Sequence, residues 1–382
     1  VSDRVGTPQH DISVIVDGVQ IRAWETYDIT VDMTSPADHF TVRMPFQQEV
    51  WRLCRGDRPI RVLIDDVRVL TGFIDERLVP EDDEAVEIIG RDRAGRLVDE
   101  SAPGLNFSGL TMKALVEKVA DPWFTRASFS NARNRSVLRG RGRKAKAAGE
   151  PVTLNTGTKV GTHIEPGQTR WQVIETLCAQ AGLLAWAAGD GSELILGQPN
   201  YDQEPQFRFF MPAASSRRTD EATVLGMGVR ERTADRYSRV IVVGSGTGTD
   251  VNYGSRVASR YGEAKDNPST PDGDGDAFSA PKRLIVPRSV SSIAEAQEFA
   301  RREMERRSAH AQGLTVRCAG HGQIVGGSFT TIFAPDTIAS VEDERTDTKG
   351  NYLITACTYR SGRAGEETLM TLVPSGTDLS PS

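Results

Sequence analysis

The chain is poor in the residues that build metal sites, disulfide frameworks and membrane spans. Its 382 residues include only four cysteines and five histidines. Cys54, Cys178, Cys318 and Cys357 are scattered, with no C-x-x-C pair. That spacing suits neither zinc nor a disulfide framework, so the cysteines read as small buried hydrophobes. His10, His39, His163, His310 and His321 have no helical ligand spacing, and no H-E-x-x-H occurs. No apolar run approaches the roughly 18 residues expected of a membrane helix. The opening residues, VSDRVGTPQHDISV, lack the basic and apolar regions of a signal peptide, which leads to the expectation of synthesis in the cytoplasm. A net charge of −6 gives no basis for non-specific DNA binding. Apolar and charged fractions of 38% and 26% are those of a globular protein. At roughly 100–200 residues per domain the length suggests two or three domains.

Catalytic signatures are also missing. There is no G-x-S-x-G elbow, and the acid pairs Asp65-Asp66 and Asp82-Asp83 fall in turn contexts. Gly244-Ser245-Gly246-Thr247-Gly248 follows the apolar run Val240–Val243, but no helix signal follows to face a pyrophosphate. Asp272-Gly273-Asp274-Gly275-Asp276 starts like a calcium loop, yet Ala277 and Arg283 stand where Gly and Glu are required. Both read as loops. No catalytic, cofactor or metal residue is assigned, and the chain is expected not to be an enzyme.

What is present is alternation. Ile12, Val14 and Val16 lead to the hairpin signal Asp17-Gly18, and Val19, Ile21 and Ala23 continue beyond it. Tyr27, Ile29, Val31 and Met33 form a period-2 row, as do Phe40, Val42 and Met44. Ile60, Val62 and Ile64 are separated from Val67 and Val69 by Asp65-Asp66, which suits a tight turn. Residues 1–100 are therefore expected to form a first small β-barrel, since closure removes exposed edges.

Residues 101–205 change character and predict an α+β domain. Thr111 caps a predicted helix with Met112, Leu115, Val116 and Val119 on one face, stopped at Asp121-Pro122. Thr169 and Gln172 have capping-box spacing, Trp171, Ile174, Leu177, Cys178 and Ala181 form a stripe, and Gly182 suits the C-terminal cap. A hairpin follows over Leu183–Ala187 and Leu194–Leu196. Residues 206–375 return to strands and predict a second β-barrel, with a long loop at 244–282 and a helix at 292–312. Val240–Val243 reads as a buried strand. Ser292 and Glu295 match a capping box, with Ile293, Ala296, Ala300 and Met304 on one face. Glu298 to Arg302 and Glu303 to Arg307 are favourable i,i+4 pairs. Residues 376–382 are a tail.

The run Arg133–Lys146 (RNRSVLRGRGRKAK) has no acid and lacks aromatics for base stacking. It reads as a solvated loop, as a polyanion contact that neutralises phosphates, or as a contact for an acidic partner through Arg139, Arg141 and Arg143. Asp75, Arg91 and Asp92 fall at strand ends, where they suit either a turn network within the chain or pairing with a neighbouring chain.

The block LTGFIDERLVPEDDEAVEIIGRDRAGRLVDES (Leu70–Ser101) resembles the "TGYID … GRDKTADLID" signature of Mu-like phage baseplate hub proteins. Trp171–Gly197 and Glu231–Gly313 resemble later parts of the same family, whose members are similar to the hub of T-even phages and the N-terminal part of type VI secretion spikes. The resemblance implies two similar β-barrel tube domains with a middle α+β domain on the outside. It further implies a homotrimer forming a pseudo-sixfold ring between the hexameric tail tube and the trimeric spike. Baseplate wedge proteins and the tape measure would be further contacts. DNA would cross the bore without specific binding, and the chain would bind no membrane. The implied location is the virion, with assembly in the host cytoplasm. The alternatives are a β-rich glycan-binding module or a cell-wall hydrolase of a tail; the former would show clustered exposed aromatics, whereas the five Trp are dispersed.

Overall fold

The computed structural model describes residues 10–22, 24–81, 84–103, 106–129, 159–232, 234, 236–245, 260–266, 282–289, 292–325, 329–362, 365–377 and 379. The basic run at 133–146, the glycine loop from 246 and the acidic loop at 272–276 lie outside the described residues. The chain divides into two compact units, one holding Val1–Gly228 with Thr315–Gly376 and the other built on Val229–Leu314.

The first unit is mainly β, and its main sheet has 13 strands. Ile12–Val16, Val19–Ile21, Thr26–Asp32, His39–Pro45, Pro59–Ile64, Val67–Leu78 and Ala85–Asp92 come from the first hundred residues. The two hairpin signals act as expected. Asp17 and Gly18 have φ of 51° and 83°, and Asp65 and Asp66 have 48° and 64°, the left-handed values that two-residue hairpins require.

Thr26–Asp32 pairs with His39–Pro45 on one side. On the other side it pairs with Thr348–Gly362, from Tyr27 opposite Ser361 to Asp32 opposite Ala356. The strands of 1–100 are thus hydrogen-bonded into one sheet with strands from 207–231 and 312–374. The length of Thr348–Gly362, 15 residues, explains this. Residues 348–354 pair with Thr337–Asp343, and residues 356–361, beyond an irregularity at 354–356, pair with Thr26–Asp32. The expected pair of closed barrels is not present in the pairing of the described strands, whose path ends at Val19–Ile21 and Gly226–Glu231. Phe207–Met211 adds a parallel strand beside Thr337–Asp343. One face of the sheet is apolar: Ile29, Phe40, Val62, Ile88, Cys357, Tyr359 and Met370 are all buried.

Residues 101–205 build their own core. Thr111 accepts the Ala114 N–H at 3.2 Å to start the helix Met112–Ala120. The helix Arg170–Ala181 has the full Thr169/Gln172 capping box and ends on Gly182 at φ 67°. Leu184–Ala187 and Leu194–Gly197 form the hairpin, and Ala127–Phe129 adds a parallel third strand too short to be read from its pattern. Leu115, Val116, Trp171, Ile174, Leu177 and Leu194 pack together with Ala94 and Leu97 of the short helix Ala94–Asp99.

In the second unit, Arg239–Ser245 lies between Arg260–Lys265, antiparallel, and Arg283–Ser289, parallel. Helix Ile293–Ala311 covers one face, with Ala296 and Ala300 against Val242. Two expectations are corrected. Val240 and Val242 are buried but Val243 is 44% exposed, because among the described residues the helix covers only the face that carries Val242. Ile293 is 65% exposed and does not join Ala296, Ala300 and Met304 on the packed face. The exposed-side pairs form as read: Arg302 meets Glu298 at 3.1 Å and Arg307 meets Glu303 at 2.6 Å. A largely buried pair, Arg236 with Asp266 at 2.7 Å, ties the entry of the unit to its sheet.

All four cysteines are buried and unpaired. Burial pushes the Cys54 thiol up to about 11 and those of Cys178 and Cys318 to about 12.

Tyr359 lies under the junction of the two strand sets, fully buried, with its hydroxyl donated to the Phe333 carbonyl. Tyr359→Ala is expected to lower unfolding stability by about 3–5 kcal/mol. Thr30→Ala, on the polar face of the same junction, is expected to cost about 1 kcal/mol or less. Urea denaturation of both variants checks the contrast.

Candidate functional site

The motif residues from Gly72 to Asp92 sit on the paired strands Val67–Leu78 and Ala85–Asp92. Gly72 lies opposite Asp92 and Ile74 opposite Gly90, and the register slips between Ile74 and Glu76. Neither glycine position has room for a side chain. A Cβ on Gly72 would lie 1.9 Å from the Arg91 carbonyl oxygen, and one on Gly90 2.2 Å from that of Phe73 and 2.7 Å from the Phe40 ring. The close backbones and the slip bring Asp75 beside Arg91.

Arg91 donates Nε to Asp75 at 2.6 Å and Nη2 to Asp99 at 2.6 Å. The guanidinium holds the Asp99 carboxyl below its usual range. Asp92 points the other way, into the interior, and its carboxylate accepts the Gly95 N–H at the start of Ala94–Asp99. Of the residues singled out from the sequence, Asp75 and Arg91 are therefore joined within the chain. Asp92 is next to them in sequence but buried, and Arg139, Arg141 and Arg143 lie outside the described residues.

The opposite face of the sheet from its apolar core is hydrophilic. Asp28, Thr30, Thr41, Arg43, Glu87, Thr358, Arg360 and Glu367 all lie on it by register. Its guanidiniums at Arg43 and Arg360 are matched by carboxylates. Arg43 meets Glu25 at 3.1 Å and Glu87 at 3.2 Å. Arg360 donates Nε to Glu367 at 2.6 Å, and the Thr30 and Thr358 hydroxyls meet at 2.9 Å across the junction. Partly exposed pairs of this kind add little stability each. Their effect is to leave no run of unmatched cations on the face.

A buried polar cluster went unrecognised in the sequence because its members are far apart in it. His10 Nδ1 contacts Asp65 at 2.6 Å, its Nε2 accepts the His321 N–H at 2.9 Å, and the two imidazoles stack at 5.0 Å. Tyr27 Oη lies 2.6 Å from His321 Nε2, and Thr368 Oγ1 lies 2.9 Å from His321 Nδ1. Thr368 gives its own proton to the Gly320 carbonyl, and the Tyr27 hydroxyl also lies 3.2 Å from Glu366 Oε1. Burial lowers the His321 pKa to about 3, which keeps its ring neutral. Every ring nitrogen of the two histidines is engaged inside the chain, so the cluster clasps distant segments together.

A cavity of about 690 Å³ lies in the same unit, walled by Val31, Met33, Trp186, Phe333 and Tyr359 and by the carboxyls of Asp38, Asp92 and Asp336. Burial raises Asp38 to about 7 and Asp336 to about 6, and burial next to Asp38 raises Asp92. Among the described residues no group of His, Cys, Asp and Glu is arranged to hold a metal, and no helix is long and apolar enough to cross a membrane.

Residues 11–92 match the family model for Mu phage baseplate assembly protein GpP-like, N-terminal. The match contains Gly72, Asp75, Gly90, Arg91 and Asp92, and it bears out the resemblance read from the motif. No curated protein matches the chain. Among solved structures, the tail protein from Neisseria meningitidis MC58 is similar at 23% identity with a TM-score of 0.72, covering 98% of this chain and 100% of that one. The 43 kDa tail protein of prophage MuSo2 from Shewanella oneidensis is similar at 16% identity and 0.71, covering 97% and 99%. A chain of the Francisella PdpA-VgrG complex is similar at 8% identity and 0.55, covering 98% of this chain and 54% of that one. The fold over almost the whole chain is thus that of phage tail proteins.

The buried acids and His321 pull stability in opposite directions with pH. Folded Asp38 holds its proton to about pH 7, whereas the unfolded chain releases it near 4, so this contribution is lost as pH rises through that window. Folded His321 resists protonation to about 3, so its contribution is present above about 6.5 and lost as pH falls. Asp38→Asn, which keeps an acceptor for the Asp32 N–H, is expected to stabilise the protein by roughly 1–2 kcal/mol at pH 8 and by almost nothing at pH 4. Thermal melts across that range check it.

Proposed function

We propose that the chain is a structural protein of a phage-type tail baseplate, acting as its hub. One observation carries the reading: a baseplate family match at 11–92 lies within a fold shared, almost end to end, with phage tail proteins. The protein's task is mechanical, and its chemistry consists of surfaces.

In this reading three copies assemble. Each contributes two tube-like sectors, one from 1–100 and one from 206–375, joined along Thr26–Asp32 and Thr348–Gly362, with 101–205 on the outside. Three chains then offer a sixfold-like ring to the tail tube and a threefold one to the spike, with wedge proteins and the tape measure as further contacts. The particle's tail tip is its location. The similarity to a VgrG-containing complex supports a spike as the partner type. The hydrophilic sheet face lines the bore, where cross-strand pairs such as Arg360 with Glu367 neutralise the guanidiniums. A lining of that kind lets DNA pass, because free rows of Lys and Arg would hold its phosphates.

The mass of the purified protein in solution tests the assembly. Light scattering is expected to give three times the 41.7 kDa of the chain, alone or with the spike added. A monomer in both conditions would contradict the ring.

A further inference from the structure

In the second unit the sheet made by Arg260–Lys265, Arg239–Ser245 and Arg283–Ser289 has, among the described residues, a helix on one face only. The bare face is apolar at one end and in the middle. Val243 lies opposite Tyr261 and beside Pro287, and Ile241 lies beside Ile285. Val243 is 44%, Tyr261 48% and Ile285 63% exposed. Sheets carrying parallel pairs are normally covered on both faces, and clustered exposed apolar side chains mark contact surfaces. The far end is cationic: Arg239, Lys265 and Arg283 stand side by side in register. The acid on the face, Glu263, is already engaged by Arg239 at 3.3 Å and by the Tyr261 hydroxyl at 2.8 Å.

We propose that this face seats one amphipathic helix of another protein of the particle, with its apolar stripe on Ile241, Val243 and Ile285 and with Asp or Glu beside Arg239, Lys265 and Arg283. Width and charge select this occupant. Three strands about 4.8 Å apart make a shelf about 10 Å across, the diameter of a single helix. A second copy of the same face laid with its strands parallel would set three cations against three cations. A nucleic acid would find one short cationic row and a single exposed ring, Tyr261, whose hydroxyl is bound to Glu263.

The location of the partner rests on the baseplate reading, and the test separates the two. A photo-crosslinking residue, p-benzoylphenylalanine, replaces Ile285, and purified particles are irradiated and mapped by mass spectrometry. Absence of the chain from particles would contradict the baseplate reading itself. With the chain present, the expected adduct is a helical segment of a different particle protein, with apolar residues three and four apart and acids along one side. Combining the crosslinker with Arg239→Glu and Arg283→Glu is expected to cut the adduct at least tenfold, with the thermal midpoint of the purified variant unchanged. An adduct within the chain, between copies, to DNA or to lipid would overturn the proposal. So would no adduct, or an adduct indifferent to charge reversal in a folded variant.

Discussion

The first unit depends on one strand pairing. Thr26–Asp32, near the start of the chain, is bonded to residues 356–361, near its end. Without that pairing the strand rows at either end of the sequence would each have an open edge, and neither would bury its apolar face fully. With it, Cys357 and Tyr359 sit in one core with Ile29 and Phe40. The Tyr27, His321 and Thr368 cluster reinforces the same seam, linking strands from both ends through hydrogen bonds that are closed to solvent.

Local features of the fold were legible in the sequence because their causes are local. Asp17-Gly18 and Asp65-Asp66 announce hairpins, since two adjacent residues must take left-handed backbone conformations. Thr169, Gln172 and Gly182 announce both ends of a helix, since each satisfies a terminal backbone group. What was not legible depends on distant partners. Alternation at Tyr27, Ile29 and Val31 identifies a strand but says nothing of which strand lies beside it, so two barrels were as compatible with it as one sheet. The exposure of Val243 likewise depends on a second layer that the strand's own residues do not encode.

The motif around Gly72 and Gly90 shows how a family signature can be architectural. The glycines permit two backbones to approach, the slipped register frees Asp75, and Arg91 ties Asp75 to Asp99. Asp92 turns inward to hold the next helix. Gly72, Gly90, Asp75, Arg91 and Asp92 each shape the corner between these strands and the helix Ala94–Asp99. The candidate contacts Asp75 and Arg91 are held to each other within the chain, and Arg91 is held to Asp99 as well.

The sheet has one apolar face and one face of matched charges, and the account gives the second face the bore. An electron cryomicroscopy map of the assembled tail tip tests this most directly. The account predicts threefold copies of the chain on the tail axis, with Asp28, Thr30, Arg43, Thr358, Arg360 and Glu367 turned toward the central channel. A map with that face packed outward, or with the chain away from the axis, would contradict it.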